Sequence, residues 1–376
     1  MSGVLAIIAF LALILLVVIP VHELGHFLLA RRFGFKVQEY FIGFGPRLWS
    51  RRSGELEYGL KAIPAGGYVK IAGMNPYEPV APEDLPRAYG SKPIWQRALV
   101  ILAGPFSHFL MGGILFFAAF TAYGDPSTDR VIVDDLAPSL GGGPSPAVEA
   151  GLEEGDEVVR VGDLATPTPE NLGPYVTRFA RDHPGEPLVY VIERDGERRS
   201  LPIVPLLVTE DDITKGRIGF TLGAERVSIP EAVALAAGQT WRATTASVEQ
   251  IPRVFGPESV ARTFGLLVSD EPRSAEDPTS IVGVSRTVGD VGSQGDWAFL
   301  LELAAYVTIF IGIVNLIPLP PLDGGHVLML GIEKVRGRAV DYRRLVPISA
   351  TVIVLLSAFA LATMVLDVTK PLPSFT

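Results

Sequence analysis

The sequence predicts a polytopic α-helical membrane protein with four transmembrane helices, a membrane-associated β-hairpin or loop, and one extracytoplasmic α+β domain. Three observations carry this. Of 376 residues, 48% are hydrophobic and only 19% charged, below the roughly 25% charged of average soluble domains. The apolar residues gather into uncharged stretches at 4–21, 98–124, 303–322 and 345–366, matching the about 20 helical residues that cross a hydrocarbon core. The charges between them are segregated by sign.

The first stretch has no basic residue before it and exceeds the apolar core of a cleaved signal peptide, so residues 1–30 read as a retained span. The loop 31–97 holds eleven Lys and Arg, and the loop 323–344 holds Lys334, Arg336, Arg338, Arg343 and Arg344. Short loops rich in Lys and Arg face the cytoplasm. The long loop 125–296 carries fifteen basic and twenty-nine acidic residues and belongs outside. Spans at 98–124, 297–322 and 345–366 then place both termini outside, including a tail at 367–376. The net charge of −9 excludes a nucleic-acid binder, which needs a concentrated basic surface. Cysteine is absent, which excludes disulfides, thiolate metal sites and cysteine nucleophiles.

His22-Glu23-Leu24-Gly25-His26 at the end of the first span matches H-E-x-x-H. On a helix, positions i and i+4 share a face, so both imidazoles can reach one Zn²⁺ with Glu23 beside the water to be activated. Ionisable groups at that depth are costly unless they have partners. A hydrolytic zinc uses three protein ligands, so a third is required. Asp323, at the end of the third span, runs to a similar depth by topology. His326, three residues on, is its rival.

Asn315-Leu316-Ile317-Pro318-Leu319-Pro320-Pro321-Leu322-Asp323-Gly324, paired with His22–His26, resembles the site-2 protease family of intramembrane metalloproteases, in particular the bacterial regulator of sigma-E protease group. Gly43-Phe44-Gly45, Ile63-Pro64-Ala65-Gly66-Gly67-Tyr68-Val69-Lys70 and Ala103-Gly104-Pro105 agree, and the similarity covers nearly the whole chain. It implies one Zn²⁺ per chain on His22, His26 and Asp323, with Glu23 as the catalytic base. It also implies a multi-pass protein of the bacterial inner membrane with its active site near the cytoplasmic side.

A transmembrane substrate helix hides its carbonyls in its own hydrogen bonds and must unwind before attack. Residues 55–73 alternate apolar and polar residues around Gly66-Gly67 and read as a hairpin. In the resembled family this region is a reentrant β-loop, whose free edge, including Gly66, Gly67 and Tyr68, can take an extended substrate by strand addition. The alternative is an ordinary amphipathic hairpin. Asn315 offers amide donors and an acceptor to an unwound backbone, or else bonds between helices. His108 departs from the family pattern, which commonly has Asn after Ala-Gly-Pro; within a span it reads as lining the site or making a hydrogen bond. His183 reads as exposed.

Within the external loop, residues 125–207 show β-rich runs at 131–133, 157–161 and 188–192 and a turn at Asp195-Gly196. The stretch from Ser145 to Asp163 resembles a bacterial PDZ domain, in one copy. Such a domain binds peptide ends at a strand edge or gates bulky substrates; the gate is the preferred reading. In 208–296, residues 228–254 have helical apolar spacing at Ala232, Leu235, Ala236 and Trp241, and 271–277 reads as a solvated linker. The reading overall is a zinc endopeptidase cutting single-pass membrane proteins in the bilayer. Its substrates would be an anti-sigma factor, a similar signalling protein or remnant signal peptides, after a first cut by a site-1-type protease. The alternatives are a non-catalytic PDZ scaffold or chaperone with structural zinc, and, more remotely, a transporter, for which no internal repeat is visible.

Overall fold

The computed structural model describes residues 3–75, 77–125, 130–140, 142–210, 213–223 and 227–372. Residues 126–129, 141, 211–212 and 224–226 of the external loop, and 373–376 of the expected tail, lie outside the described residues. In chain order the elements begin with helix α1 (Gly3–Arg32), the strands β1 (Val37–Ser53) and β2 (Leu56–Ile71), and helix α2 (Ile94–Tyr123). Next come β3 (Ile132–Leu136), β4 (Glu157–Val161), α3 (Pro169–Asp182), β5 (Leu188–Arg194), β6 (Glu197–Ile203), β7 (Leu206–Glu210), β8 (Ile213–Arg217) and β9 (Phe220–Gly223). The chain closes with α4 (Ile229–Phe255), α5 (Pro257–Leu266), α6 (Ile281–Gln294), α7 (Trp297–Asn315), α8 (Asp323–Arg336) and α9 (Val346–Thr369). Two compact units result: Met1–Phe116 with Ala236–Thr376, and Phe117–Leu235.

Among the described residues, α1, α2, α7 and α9 are the helices long and apolar enough to cross a membrane. α1 has a π-helical turn at Ile14–Val18, just before Pro20. Proline has no N–H for the carbonyl four residues back, and a wider turn there re-registers the ladder. Several expected boundaries change; α9, for one, runs on to Thr369, so residues 367–369 of the expected tail are helix. α2 begins at Ile94 rather than 98, because Arg97 is buried inside the helix and paired with Glu333. α7 stops at Asn315 rather than 322, since Pro318, Pro320 and Pro321 cannot continue it. The expected cytoplasmic loop 323–344 is largely helix: α8 opens on Asp323, an acid in the first turn where the helix dipole favours one, and ends at Gly337 with φ 65°.

The expected hairpin within 55–73 is also corrected. β1 and β2 pair antiparallel around a turn at Gly54 and Glu55, and Gly66-Gly67 lies inside β2. The ribbon folds back on itself. Residues 39–42 face 67–70 on one side and step alongside 57–60 on the other, while 57–60 also pair with 49–52. The resulting order is 67–71, 37–42, 56–60, 49–53, which leaves 67–71 as an outer strand. Phe35, Val37, Leu56, Ile71 and Tyr89 bury this sheet against Ala30 of α1 and Val100 and Ile101 of α2. Phe44, Leu48, Trp49, Leu60 and Ile63 remain exposed on its far part.

The second part of α4 packs on the spans: Gln239 bonds the Tyr306 hydroxyl of α7, and Thr240 lies beside Gly113 of α2. Ala243 and Ser247 are buried there, whereas Trp241 is exposed. The 271–277 segment is not a solvated linker. Arg273 is buried on Asp367 of α9 at 2.6 Å, and Asp277 is buried on Arg262 at 2.6 Å.

The other unit has a five-stranded sheet in the order β9-β3-β4-β5-β6, covered by α3, with Val133, Val158, Leu172, Val176, Tyr190 and Ile192 in its core. The sheet runs past the expected limit at 207 to Gly223. Asp195 (φ 54°) and Gly196 (φ 77°) form the two-residue turn between β5 and β6, where both positions need positive φ. A groove of about 860 Å³ is lined by Leu172 and Val176 of α3 and by Ile218 and Phe220 at β9. His183 is exposed, stacked on Phe179.

At the ribbon turn, the Glu55 carboxylate accepts from Arg87 and Lys36, which holds its carboxyl down at about 2 from an ordinary 4.5. A depressed folded-state value means the stabilisation is complete above about pH 4.5 and is lost as pH falls through about 2. The group is partly exposed, so the effect stays below about 1 kcal/mol. The melting-temperature gap between wild type and Glu55→Gln is therefore expected to be largest at neutral pH and to close toward pH 2. Thermal unfolding of the detergent-solubilised protein checks this, and a gap that widens in acid contradicts it.

Candidate metal centre

The H-E-x-x-H residues lie in the second half of α1, and Asp323 is the first residue of α8. His22 Nε2 stands 3.1 Å from His26 Nε2 and 3.3 Å from Asp323 Oδ2, and His26 Nε2 stands 3.5 Å from the same oxygen. Tetrahedral donors about 2.0–2.1 Å from a zinc ion are spaced about 3.3–3.4 Å apart. The three atoms thus form one face of such a tetrahedron, and the donor set, two imidazoles and a carboxylate, is one that zinc takes. Among the described residues these are the His and acidic side chains that cluster closely enough to hold a metal. His326, the rival third ligand, is outside the triangle; it lines the same cavity and stacks on Tyr342.

Two helices make the triangle possible. A Cβ on Gly104 of α2 would fall 2.3 Å from His26 Nε2 and 2.8 Å from His22 Cε1. A Cβ on Gly25 of α1 would fall 2.4 Å from the Ala103 carbonyl oxygen. The helices meet at backbone distance, and the His26 Nδ1–H donates to the Val100 carbonyl at 2.8 Å. That bond fixes Nε2 as the free donor atom. α8 is held on the same helix: Arg97 reaches Glu333 through two bonds, one of 3.1 Å and one of 2.5 Å, both residues buried. Neither Val100, Arg97 nor Glu333 is visible as a site residue in the sequence. Arg97 counts there only as one more loop charge, and a backbone carbonyl leaves no sequence signal.

Glu23 faces the backbone amide of Val69 on the outer strand of the sheet. In an antiparallel pair, alternate residues turn their backbone groups outward, so Gly67 presents its own on the same edge as Val69, whereas the Ile71 carbonyl accepts from the Met74 N–H at 3.1 Å. A Cβ on Gly67 would lie 3.0 Å from Glu23 Cγ. The cavity between them is about 310 Å³, lined by His22, Glu23, Tyr68, Val69, Asn315 and Asp323 among others. Gly67, Tyr68 and Asn315 are thus brought to the triad. The Tyr68 hydroxyl is engaged by Glu39 and Lys61, leaving its ring to face the cavity. Gly66 is not at the cavity; it packs under the Phe44 ring. His108 is buried behind His22, ring centroids 5.0 Å apart.

A metal-binding face with a free carboxylate beside it, set among helices able to cross a membrane, is the equipment of a membrane-embedded metallohydrolase. Residues 10–359 match peptidase family M50. The chain is 31% identical over 400 residues to the zinc metalloprotease Rip1 of Mycobacterium tuberculosis, covering 97% of each protein. It is 35% identical over 345 residues to a putative zinc metalloprotease of Brucella suis, covering 87% of this chain and 86% of that protein. A putative zinc metalloprotease of Nostoc is 30% identical over 379 residues, covering 98% and 96%. The chain belongs to peptidase family M50 and is a zinc metalloprotease.

Since the Gly104 position meets both imidazoles, Gly104→Val is expected to abolish zinc retention and proteolysis while leaving helix content unchanged. Metal analysis and circular dichroism of the purified protein test this. A Gly104→Val protein holding a full equivalent of zinc contradicts it.

Proposed function

We propose that the protein is an intramembrane endopeptidase in which His22, His26 and Asp323 hold one Zn²⁺ and Glu23 is the catalytic base. The observation that carries this is the donor triangle of 3.1–3.5 Å with Glu23 at its side. Zinc held there supplies a Lewis acid for the scissile carbonyl and for water. Glu23 takes the proton from the attacking water and delivers it to the leaving amine. The Val69 amide orients its carboxylate. The outer edge at Gly67 and the Val69 carbonyl receives an unwound substrate segment as an added strand, and the Asn315 amide holds the same segment from the α7 side.

The four apolar helices and the family fit a multi-pass protein of the inner membrane. In our reading both termini and the unit after α2 are extracytoplasmic and the site lies toward the cytoplasmic side, as the segregation of basic residues supports. That unit, which has its own core and an apolar groove, acts as a PDZ-type gate. It admits single-pass membrane proteins, such as an anti-sigma factor, other signalling proteins or remnant signal peptides, once a site-1-type protease has trimmed their external part.

Glu23→Gln is expected to keep zinc and lose about 10²–10⁴-fold in kcat/KM on a purified transmembrane substrate; cleavage within tenfold of wild type would sink the catalytic assignment. The chain has no cysteine, which permits a clean cross-linking test of the edge. A single cysteine at Val69 in the Glu23→Gln protein is expected to form a disulfide with a substrate cysteine next to the scissile bond. If cysteines placed at exposed Leu48 or Trp49 on the far part of the sheet trap substrate equally well, the strand-addition reading fails.

A further inference from the structure

Metal-bound histidines almost always donate the second ring N–H to an outer partner, which fixes tautomer and ring orientation. His26 satisfies this through Val100. His22 does not: its Nδ1 is buried with no hydrogen-bond partner among the described residues. Its Nε2 is committed to the donor triangle, so the proton of the neutral ring belongs on Nδ1.

One other side chain beside His22 has the same deficit. His108 is 2% exposed, and both its Nδ1 and its Nε2 are buried without a partner among the described residues. Its ring centroid lies 5.0 Å from that of His22, with the planes tilted by 48°. Gly312 of α7 makes room for it, because a Cβ there would fall 2.7 Å from His108 Cβ. The orphaned His22 Nδ1 and the two orphaned nitrogens of the adjacent His108 ring, which point in different directions, all lie in the interior where α1, α2 and α7 meet. Buried polar groups are seldom left unpaired, and two that are too far apart for a direct bond are commonly joined by a water molecule.

We propose that His108 is a positioning residue for the metal centre. A single trapped water accepts the His22 Nδ1–H and donates to a ring nitrogen of His108, supplying His22 with the outer partner that Val100 supplies to His26. His108 is not itself a ligand, since it is not part of the close donor group. An amide side chain, which also offers a donor and an acceptor, can serve the same role. The inference rests on His22 being a zinc ligand, and its test separates the two.

The test uses the full-length protein, purified in detergent and loaded with zinc or with Co²⁺. Wild type, His108→Met, His108→Gln and His22→Ala are titrated with a competing chelator, and the visible spectra of the Co²⁺ forms are compared. His108→Met is expected to weaken zinc retention about 10–100-fold and to shift the Co²⁺ bands. His108→Gln is expected to stay close to wild type on both readouts. If His108→Met does not fold, as judged by circular dichroism, His108→Phe takes its place in the comparison. Wild-type retention in the apolar variant overturns the proposal. Equal loss in the Met and Gln variants also overturns it, since ring shape would then matter rather than hydrogen bonding. A His22→Ala protein that keeps its zinc overturns the ligand assignment itself, whatever the His108 variants do.

Discussion

The contact on which the site depends is the backbone approach of α1 and α2 at Gly25 and Gly104. In a bilayer no hydrophobic force drives helices together, because lipid is as apolar as the side chains. Small residues and interhelical hydrogen bonds must do this instead. Here the small residues open a notch of the right depth for two imidazoles, and the His26–Val100 bond closes it. With even one methyl group at Gly104, the imidazole nitrogens could not occupy their present positions. The polar chemistry of the molecule is thus enabled by residues that contribute no polar group.

The same face of α2 organises the remaining parts. Arg97, Val100, Gly104 and His108 follow one another at intervals of three or four residues, the spacing of a single helical stripe. Arg97 fixes α8, Val100 fixes His26, Gly104 admits both imidazoles, and His108 lies against His22. A buried ion pair such as Arg97–Glu333 adds little net stability while whole, but losing one partner costs about 3–5 kcal/mol. Its value here is geometric: it ties the helix carrying Asp323 to the helix that sets the two histidines.

The four apolar spans and the H-E-x-x-H motif were legible because both are local patterns, read from hydropathy and from i, i+4 spacing. Asp323 was legible as the leading third ligand from the depth its span implies, with His326 left as its rival until the resemblance favoured Asp323. The span limits were misjudged where one residue outweighed its context. Arg97 looks like a loop charge until its partner, 236 positions away, is known. Asn315 looks like mid-span until the prolines after it are given their backbone consequence. The ribbon was misread for a different reason. Gly66-Gly67 is a good turn signal by propensity, but in place Gly66 lies against Phe44 and Gly67 against Glu23. Those are long-range demands for a missing side chain, which look the same in sequence as a demand for a turn.

The strut between Arg97 and Glu333 has a mechanical consequence. Ten residues of α8 separate Glu333 from Asp323, a rigid arm of about 15 Å. A swing of only about 4° at the strut displaces the carboxylate by about 1 Å, as much as separates bonding distance from none. The Asp323 end of the arm is itself packed on the irregular segment 316–322, where a Cβ on Gly324 would fall 2.1 Å from the Leu316 carbonyl oxygen, so the arm is held at both ends. A change at Arg97 or Glu333 would thus reach the Asp323 carboxylate along the helix, without touching it.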